Sequence, residues 1–262
     1  MTQKEIIVLT GTNSQVIIHA GECAEILHWG KPVSGDITSF CSSLLRPVPY
    51  GRLDNDVAMT LAPELGRGVF SSPCLEGHRN GADWAPVFVI TEVESNAHSV
   101  TLTSEDALAG LRMITELSLD KQDVIKTRHS LINIKSTPYQ VNRLANTLPL
   151  PVRAAELMTY YGRWVHEFQT VRQPLQQGGY QQENRRGRTS HEHYPALVAG
   201  TRHFDEMQGD VYGFHFAWSG NHRLRVDVKA DGRRYMQAEV IYLPGEISLQ
   251  QGEELTTPWL YA

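Results

Sequence analysis

Cysteine is scarce in this sequence, and long hydrophobic runs are missing. Three cysteines occur in 262 residues, Cys23, Cys41 and Cys74. An odd number at such wide spacing provides neither a disulfide framework nor a C-x-x-C metal pair, which favours a reducing compartment. The apolar run at 6–9 has only the length of a strand, so neither a signal peptide nor a membrane span is predicted. We therefore expect a cytoplasmic protein with no membrane partner.

An excess of positive charge is also absent. The net charge is −5 and the isoelectric point is near 6.1, so we expect no nucleic-acid partner, because such surfaces must neutralise phosphates. The nearest basic cluster, Arg185, Arg186 and Arg188, lies beside Glu183 and is typical of a solvated or ion-paired turn. The mean hydropathy of −0.33 is ordinary for a soluble globular domain.

The sequence does contain many short apolar segments bounded by glycine, proline and asparagine. Three of them cover 211–218, 224–228 and 235–243. In the second, Leu224, Val226 and Val228 alternate with charged residues, and a hairpin turn at 231–232 follows. Segments long enough for helices are few. The pattern predicts an all-β fold, a large antiparallel β-sandwich with few short helices, in one domain over residues 1–262.

Four segments are harder to assign. Residues 105–119 fit either a helix face or a hairpin. We favour the hairpin because every second residue from 111 to 119 (Leu, Met, Thr, Leu, Leu) forms an alternating set and a turn follows at 120–123. Residues 34–56 and 172–182 are predicted as loops from their proline, glycine and polar content. Residues 138–161, with Pro149 and Pro151, are expected to form a connection with one short helical turn.

Several side chains invite a chemical role. His191, Glu192 and His193 are ligand types for zinc or iron, but no matching group of ligands stands elsewhere in the sequence. We expect no metal, and a hydrogen-bonding role for these residues. Ser190 lacks the G-x-S-x-G setting of an activated nucleophile. Among the tryptophans, Trp84 is the most plausible exposed ring for stacking on a sugar, whereas most of the others are expected in the core.

Six spaced strings, in order, resemble one known domain. They are residues 27–31 (LHWGK), 61–68 (LAPELGRG), 162–167 (GRWVHE), 187–198 (GRTSHEHYPALV), 209–226 (GDVYGFHFAWSGNHRLRV) and 243–262 (LPGEISLQQGEELTTPWLYA). Together they resemble the N-terminal β-supersandwich domain of glycoside hydrolase family 36, which contains bacterial α-galactosidases. The resemblance spans nearly the whole chain.

The resemblance implies a parent enzyme that hydrolyses terminal α-galactosides with retention and without a cofactor. In that family two aspartates on a (β/α)8 barrel perform the reaction, and such a barrel takes about 250 residues of alternating strands and helices. That pattern is missing here. The family nucleophile follows a Lys-x-Asp motif, but Lys121-Gln122-Asp123 falls in a predicted turn. We therefore expect no catalytic residue in this chain and, as partners, its own C-terminal catalytic barrel, neighbouring subunits of a homo-oligomer and the α-galactoside substrate.

The resemblance also points to an auxiliary substrate contact. In tetrameric relatives a sandwich loop carries an aspartate to a neighbouring barrel, and Asp54, with Asn55 and Asp56 beside it, is the best match; a solvated loop is the alternative. Trp84 is the other candidate for substrate binding. Two other hypotheses remain open, namely a free-standing carbohydrate-binding or interaction module, and an enzyme with a metal at His191, Glu192 and His193. Relatives acting on α-N-acetylgalactosaminides or transferring galactose share the same kind of sandwich.

Overall fold

The computed structural model describes residues 5–45, 57–69 and 71–262. Over these ranges the regular secondary structure is almost entirely antiparallel strand, which confirms the predicted all-β fold. The strands, in chain order, are β1 (Glu5–Thr10), β2 (Gln15–Ala20), β3 (Ala24–Gly30), β4 (Leu75–His78), β5 (Val89–Ser95), β6 (Ser99–Asp106), β7 (Leu111–Leu119), β8 (Ile125–Asn133), β9 (Tyr139–Leu150), β10 (Glu156–Arg163), β11 (His166–Pro174), β12 (Tyr180–Asn184), β13 (Ala196–Gly200), β14 (Val211–Phe216), β15 (His222–Val228), β16 (Arg234–Val240), β17 (Ile247–Leu249), β18 (Glu254–Thr256) and β19 (Leu260–Tyr261).

These strands form a small, a large and a medium sheet within the described residues. The small sheet has the order β1-β2-β3. The large sheet has the order β11-β10-β13-β14-β19-β8-β7-β6-β5, and β18 also pairs with β8. The medium sheet has the order β12-β15-β16-β9-β17, and β4 also pairs with β9. The hairpin predicted at 105–119 is confirmed, because Asp106 at the end of β6 pairs with Leu111 at the start of β7.

A helix interrupts the segment that was predicted to be a loop. Residues Ile37–Leu44 form α1, which follows β3. Its N-terminus is capped by Asp36, whose carboxylate accepts hydrogen bonds from the backbone N–H groups of Thr38 (3.1 Å) and Ser39 (3.2 Å). An aspartate at this position satisfies amides that have no partner inside the helix. A 3-10 helix covers Leu65–Arg67, and none of the helices described is long and apolar enough to cross a membrane.

The connection predicted at 138–161 consists mainly of two strands. Residues 139–150 form β9, a central strand of the medium sheet, and 156–163 form β10 of the large sheet. The prediction of a connection with a helical turn at 138–161 is therefore wrong. Both faces of β9 are covered from Arg143 to Leu148, so the apolar residues of that part do not alternate, and Pro149 lies near the end of the strand. The loop predicted at 172–182 is shorter than expected, because β11 extends to Pro174 and β12 starts at Tyr180.

The main apolar core is shared by the sheets. Leu9 and Ile18 of the small sheet and Leu224 of the medium sheet pack with Phe216 and Leu117 of the large sheet, all nearly inaccessible to solvent. A second cluster lies between the large and medium sheets around Met113, Tyr139 and Leu144. Burial of this much apolar surface is the main stabilising contribution to such a fold.

Charged groups buried in the medium sheet are paired. Arg143 of β9 donates to the carboxylate of Glu239 on β16 and, over 2.8 Å, to the side-chain oxygen of Gln237. Arg223 of β15 donates to the same Glu239 carboxylate and, over 2.6 Å, to Glu183 of β12. The network connects four neighbouring strands. Buried ions require such partners, because an unpaired charge in the interior is very costly.

Candidate functional site

The predicted residues Asp54, Asn55 and Asp56 lie outside the described residues. A cavity of about 360 Å³ lies beside the points where the described chain stops and resumes, and its lining includes Leu44, Ala58 and Met59. Arg233 also lines this cavity, and its guanidinium donates to the backbone carbonyl of Val57 over 2.7 Å. The substrate-binding role of Asp54, Asn55 and Asp56 stays a prediction.

The wall of this cavity combines aromatic rings and arginines. Trp29 of β3 stacks on Tyr212 of β14 with ring centroids 5.5 Å apart and planes inclined by 19°. Arg153 donates to the Tyr212 hydroxyl over 2.6 Å and forms an ion pair with Asp210 at 3.0 Å. Such a wall offers apolar ring faces beside hydrogen-bond donors, a combination found in many ligand pockets. It is formed where the small sheet meets the large sheet.

Trp84 is held on a tight turn and its ring is open to solvent, with 59% of the residue exposed. The turn contains left-handed backbone at Asn80 (φ 52°) and Asp83 (φ 55°). Backbone hydrogen bonds run in both directions between Arg79 and Ala82, and the Arg79 side chain binds the Asp83 carboxylate at 3.2 Å. The predicted exposure of Trp84 is confirmed. Its role in sugar binding stays a prediction.

The Lys-x-Asp string is part of a structural turn. Asp123 has left-handed backbone (φ 67°), and its carboxylate accepts the backbone N–H groups of Asn13 (2.9 Å) and Ser14 (3.0 Å) and the Ser14 hydroxyl (2.8 Å). These hydrogen bonds, with the Asn13 amide as the largest contribution, lower the pKa of Asp123. The carboxylate joins the β7–β8 turn to the β1–β2 turn, which is a structural role.

The string at 191–193 also has local partners. Glu192 forms an ion pair with Arg186 at 2.5 Å, and the His191 ring lies edge-on to Trp164 at 6.3 Å. Over the described ranges, no group of three or more His, Cys, Asp or Glu side chains is placed to hold a metal ion. Glu192 is therefore held in an ion pair and His191 in a ring contact.

Three groups, one carboxyl and two thiols, have raised pKa values. Burial raises the pKa of Glu64 to about 7, although its carboxylate lies 2.7 Å from Arg67 and accepts the Phe88 backbone N–H at 3.3 Å. Desolvation raises the pKa of the Cys23 thiol to about 11 and that of Cys74 to about 12. Thiols of such high pKa are poor nucleophiles at neutral pH. Glu64 joins the 3-10 helix at Leu65–Arg67 to the start of β5.

The sequence reasoning missed an exposed aromatic hairpin. Most tryptophans other than Trp84 were expected in the core, but Trp164 is 79% exposed at the turn between β10 and β11, and Phe168 is 60% exposed next to it. Trp218 is also exposed, just after β14. The signal in the sequence was weak. It consisted of an aromatic run, Tyr160-Tyr161-Gly162-Arg163-Trp164, in place of the polar residues that hairpin turns favour.

The fold and these surfaces define a large antiparallel β-sandwich domain with aromatic surfaces and a cavity beside the small sheet. The chain belongs to the glycosyl hydrolase family 36 N-terminal domain family, whose model matches residues 23–250. It is 50% identical over 254 residues to an alpha-galactosidase of Escherichia coli, a match that covers 97% of this chain and 36% of that protein. It is 29% identical over 169 residues to alpha-galactosidase AgaA of Geobacillus stearothermophilus, covering 64% of this chain and 23% of that one.

Solved structures show the same fold. The crystal structure of the family 36 alpha-galactosidase AgaA from Geobacillus stearothermophilus superposes with a TM-score of 0.85 at 20% identity, covering 98% of this chain and 40% of that one. The alpha-galactosidase from Lactobacillus brevis gives a TM-score of 0.85 at 18% identity, covering 98% and 39%. The chain thus spans well under half the length of these proteins.

Proposed function

We propose that this chain is the non-catalytic N-terminal domain of a longer retaining α-galactosidase, which hydrolyses terminal α-galactosides. The observation that carries the proposal is the 50% identity to the Escherichia coli alpha-galactosidase over a stretch equal to 36% of that protein. In this proposal the domain packs on its own C-terminal catalytic barrel, takes part in contacts between subunits of a homo-oligomer and shapes the mouth of the active site. The reaction needs no cofactor, and the protein works in the cytoplasm.

The chemistry of the described residues supports a non-catalytic role. A retaining glycosidase needs two carboxyl groups about 5–5.5 Å apart across the scissile bond. Three of the described acids are committed to structural contacts, since Asp123 binds a neighbouring turn, Glu192 binds Arg186 and Glu64 binds Arg67. We therefore assign the nucleophile and the acid/base to the barrel.

Asp54, with Asn55 and Asp56, is proposed to reach the galactose end of a neighbouring active site. A carboxylate accepts strong hydrogen bonds from sugar hydroxyls. Replacing Asp54→Asn in the longer protein should raise KM for p-nitrophenyl α-galactoside more than it lowers kcat, because the contact exists before and during the reaction. An unchanged KM would assign this segment to a solvated loop.

The direct test compares the 262-residue chain with the full-length product of the gene that contains it. Hydrolysis of p-nitrophenyl α-galactoside is measured for both at equal molar concentration. We expect turnover by the longer protein and none by the chain alone. Turnover by the chain at the rate of the longer protein would refute the non-catalytic assignment, and a longer protein inactive on α-galactosides would refute the proposed substrate class.

A carbohydrate-binding module is the second candidate, and the open ring of Trp84 is the observation that favours it. Sugar rings stack on exposed indoles of this kind. In that case the chain alone binds raffinose or melibiose, with a change in tryptophan fluorescence that Trp84→Ala removes. Titration of the wild-type chain and this variant distinguishes the two functions, because the first predicts no binding by the chain alone.

A further inference from the structure

A pocket of about 210 Å³ lies where the β10–β11 hairpin meets the loop before β13. Its apolar wall is aromatic, because the Phe168 ring lies edge-on to Tyr194, with centroids 5.2 Å apart, and to Tyr160 at 6.3 Å. Pockets for drug-sized ligands measure roughly 300–1,000 Å³, so this smaller volume suits a single small ring. We call it the hairpin pocket and define it by Tyr160, Glu167, Phe168, Ser190, His191 and Tyr194.

Two polar side chains of this pocket are held in place by the backbone. The Glu167 carboxylate accepts the Val165 N–H at 3.0 Å. Hydrogen bonds from the backbone N–H groups of Glu167 itself and of Val165 lower the pKa of this carboxyl, so it is ionised at neutral pH. Ser190 is buried, and its hydroxyl oxygen accepts the His193 N–H at 3.3 Å. A carboxylate only accepts, whereas such a hydroxyl can still donate its hydrogen. The pocket thus offers a strong acceptor and a donor beside its rings.

The charges around the pocket favour a neutral ligand. The described residues that line it include no acid other than Glu167 and no lysine or arginine, so an anion would meet no opposite charge. A cation is disfavoured as well, because His191 lines the pocket, Arg163 ends the adjoining strand β10, and the nearby Glu192 is already paired with Arg186. A neutral polyol can pack its C–H groups on the rings and donate its hydroxyls to the carboxylate.

The hairpin backbone forms the pocket before any ligand binds. The pairing of β10 with β11 shifts register beside Gly162, where a Cβ would lie 2.3 Å from the His166 carbonyl oxygen. Val165 and Phe168 have left-handed backbone, with φ 66° and 51°, a conformation that is rare for a β-branched residue. Strained backbone of this kind is concentrated at ligand sites. A preformed pocket also loses less entropy on binding, which favours a weakly held ligand.

We propose that the hairpin pocket binds one hexopyranose ring of a neutral oligosaccharide. The apolar face of the sugar packs on Phe168 and Tyr194. Its hydroxyls donate to the Glu167 carboxylate, and the Ser190 hydroxyl donates to a sugar oxygen. Trp164, exposed at the turn of the hairpin, contacts the next sugar unit.

This site goes beyond the proposed function, which requires no sugar binding by the chain alone. The site binds sugar without cleaving it. Hydrolysis of a glycoside needs two carboxyl groups across the scissile bond, and Glu167 is the single acid among the described residues that line the pocket.

The first test is calorimetric titration of raffinose into the 262-residue chain. We expect saturable binding, about tenfold weaker in Phe168→Ala and in Glu167→Gln, which lose the ring contact and the charged acceptor. Trp84→Ala and Glu192→Gln, an exposed ring and an exposed acid outside the pocket, are the matched controls and should bind raffinose like the wild type. Absence of binding, or equal affinity in all four variants, would refute the site. Binding lost only in Trp84→Ala would place the sugar at that ring instead.

A second test needs no variant. Hydrogen exchange of the wild-type chain is measured with and without raffinose, and the bound sugar should slow exchange of the amides at 163–168 and 189–194. The amides at 79–84, in the turn that carries Trp84, should be unaffected. Protection confined to 79–84 would contradict the proposal. Choline chloride replaces raffinose in a parallel experiment, and equal protection by choline would show that the pocket takes cations and not sugars.

Two further measurements keep these outcomes separate from other failures. The melting temperatures of Phe168→Ala and Glu167→Gln should match that of the wild type, because neither side chain is buried. Loss of raffinose binding then reports the pocket and not the fold. Turnover of p-nitrophenyl α-galactoside by the longer protein tests the proposed function independently, since the activity and the pocket can each fail without the other.

Discussion

The interior around Glu239 and the exposed hairpin between β10 and β11 place their side chains in opposite settings. At Glu239, which is 2% exposed, every charge meets an opposite charge or a hydrogen-bond partner on an adjacent strand. At the hairpin, the Trp164 and Phe168 rings are exposed to solvent, and the backbone of Val165 and Phe168 is left-handed. The interior is organised to stabilise this domain. The hairpin adds exposed apolar area and backbone strain that do not benefit the isolated domain.

The sharpest comparison uses two phenylalanines of the large sheet. Phe216→Ala removes a fully buried ring and should lower the free energy of unfolding by about 3–5 kcal/mol, through lost burial and the cavity left behind. Phe168→Ala removes an exposed ring and should change it by less than about 0.5 kcal/mol. Urea unfolding of the 262-residue chain measures both. A loss above about 2 kcal/mol for Phe168→Ala would show that this ring serves the domain's own core.

The buried charges should be almost as sensitive. Glu239→Ala leaves Arg143 and Arg223 without their shared partner and should cost about 3–5 kcal/mol of unfolding free energy. Arg186→Ala, which breaks the exposed pair with Glu192, is the matched control and should cost less than about 1 kcal/mol. The same urea experiment compares the two variants. Similar losses of unfolding free energy for the two variants would show that the buried ion pairs stabilise the domain no more than the exposed one.

Acid should weaken the interior through His129. This side chain is fully buried on β8, where it shares a hydrogen bond with Thr115 (2.9 Å), and burial lowers its pKa from 6.5 to about 4. Between pH 6.5 and about 4, this histidine binds a proton in the unfolded chain but not in the folded chain. Stability is therefore lost as the pH falls from 6.5 towards 4, by about 3 kcal/mol for this group.

The measurement is the difference in pH dependence between wild type and His129→Gln, because other groups titrate in the same range. Glu64 acts in the opposite sense. Its raised pKa stabilises the folded chain fully below about pH 4.5, and this stabilisation is lost as the pH rises through about 7. A wild-type curve parallel to that of His129→Gln from pH 7 to pH 4 would show that His129 is protonated in the folded domain.

The smallest expected effect is a gain in stability. Val165→Gly places the residue that best tolerates left-handed backbone at φ 66° and removes little buried surface. It should raise the unfolding free energy of the chain by about 1 kcal/mol or less. Gly232→Ala, at φ 84° in the β15–β16 turn, is the inverse control and should lower it by a similar amount. Thermal unfolding of both variants gives the comparison, and a loss of stability in Val165→Gly would mean that the hairpin is not strained.

The sequence was most informative where one face of a strand is buried. The alternation in β7 and β15 predicted both hairpins, because polar and apolar residues report the two faces directly. β9 was missed because both of its faces are covered, so Ala145 and Asn146 are buried side by side. A central strand of this kind has no two-residue period to detect.

The site was predicted less completely, for a related reason. The exposure of Trp84 followed from the turn before it, whereas the turn at Trp164 carries a valine where a glycine or asparagine is usual. Local propensity disfavours such a hairpin, and only contacts between strands enforce it. Sequence reasoning therefore did not single out Trp164, which the structure places at an exposed turn on the edge of the large sheet.

The position of β19 has a consequence for how the chain is made. This strand lies between β14 and β8, and Leu260 pairs with both Phe216 and Thr127. Until residues 260–261 arrive, the two halves of the large sheet have no strand between them. Residues 260–261 must therefore leave the ribosome before the large sheet can form completely. Until then β14 and β8 each have an unpaired edge, which a chaperone can shield.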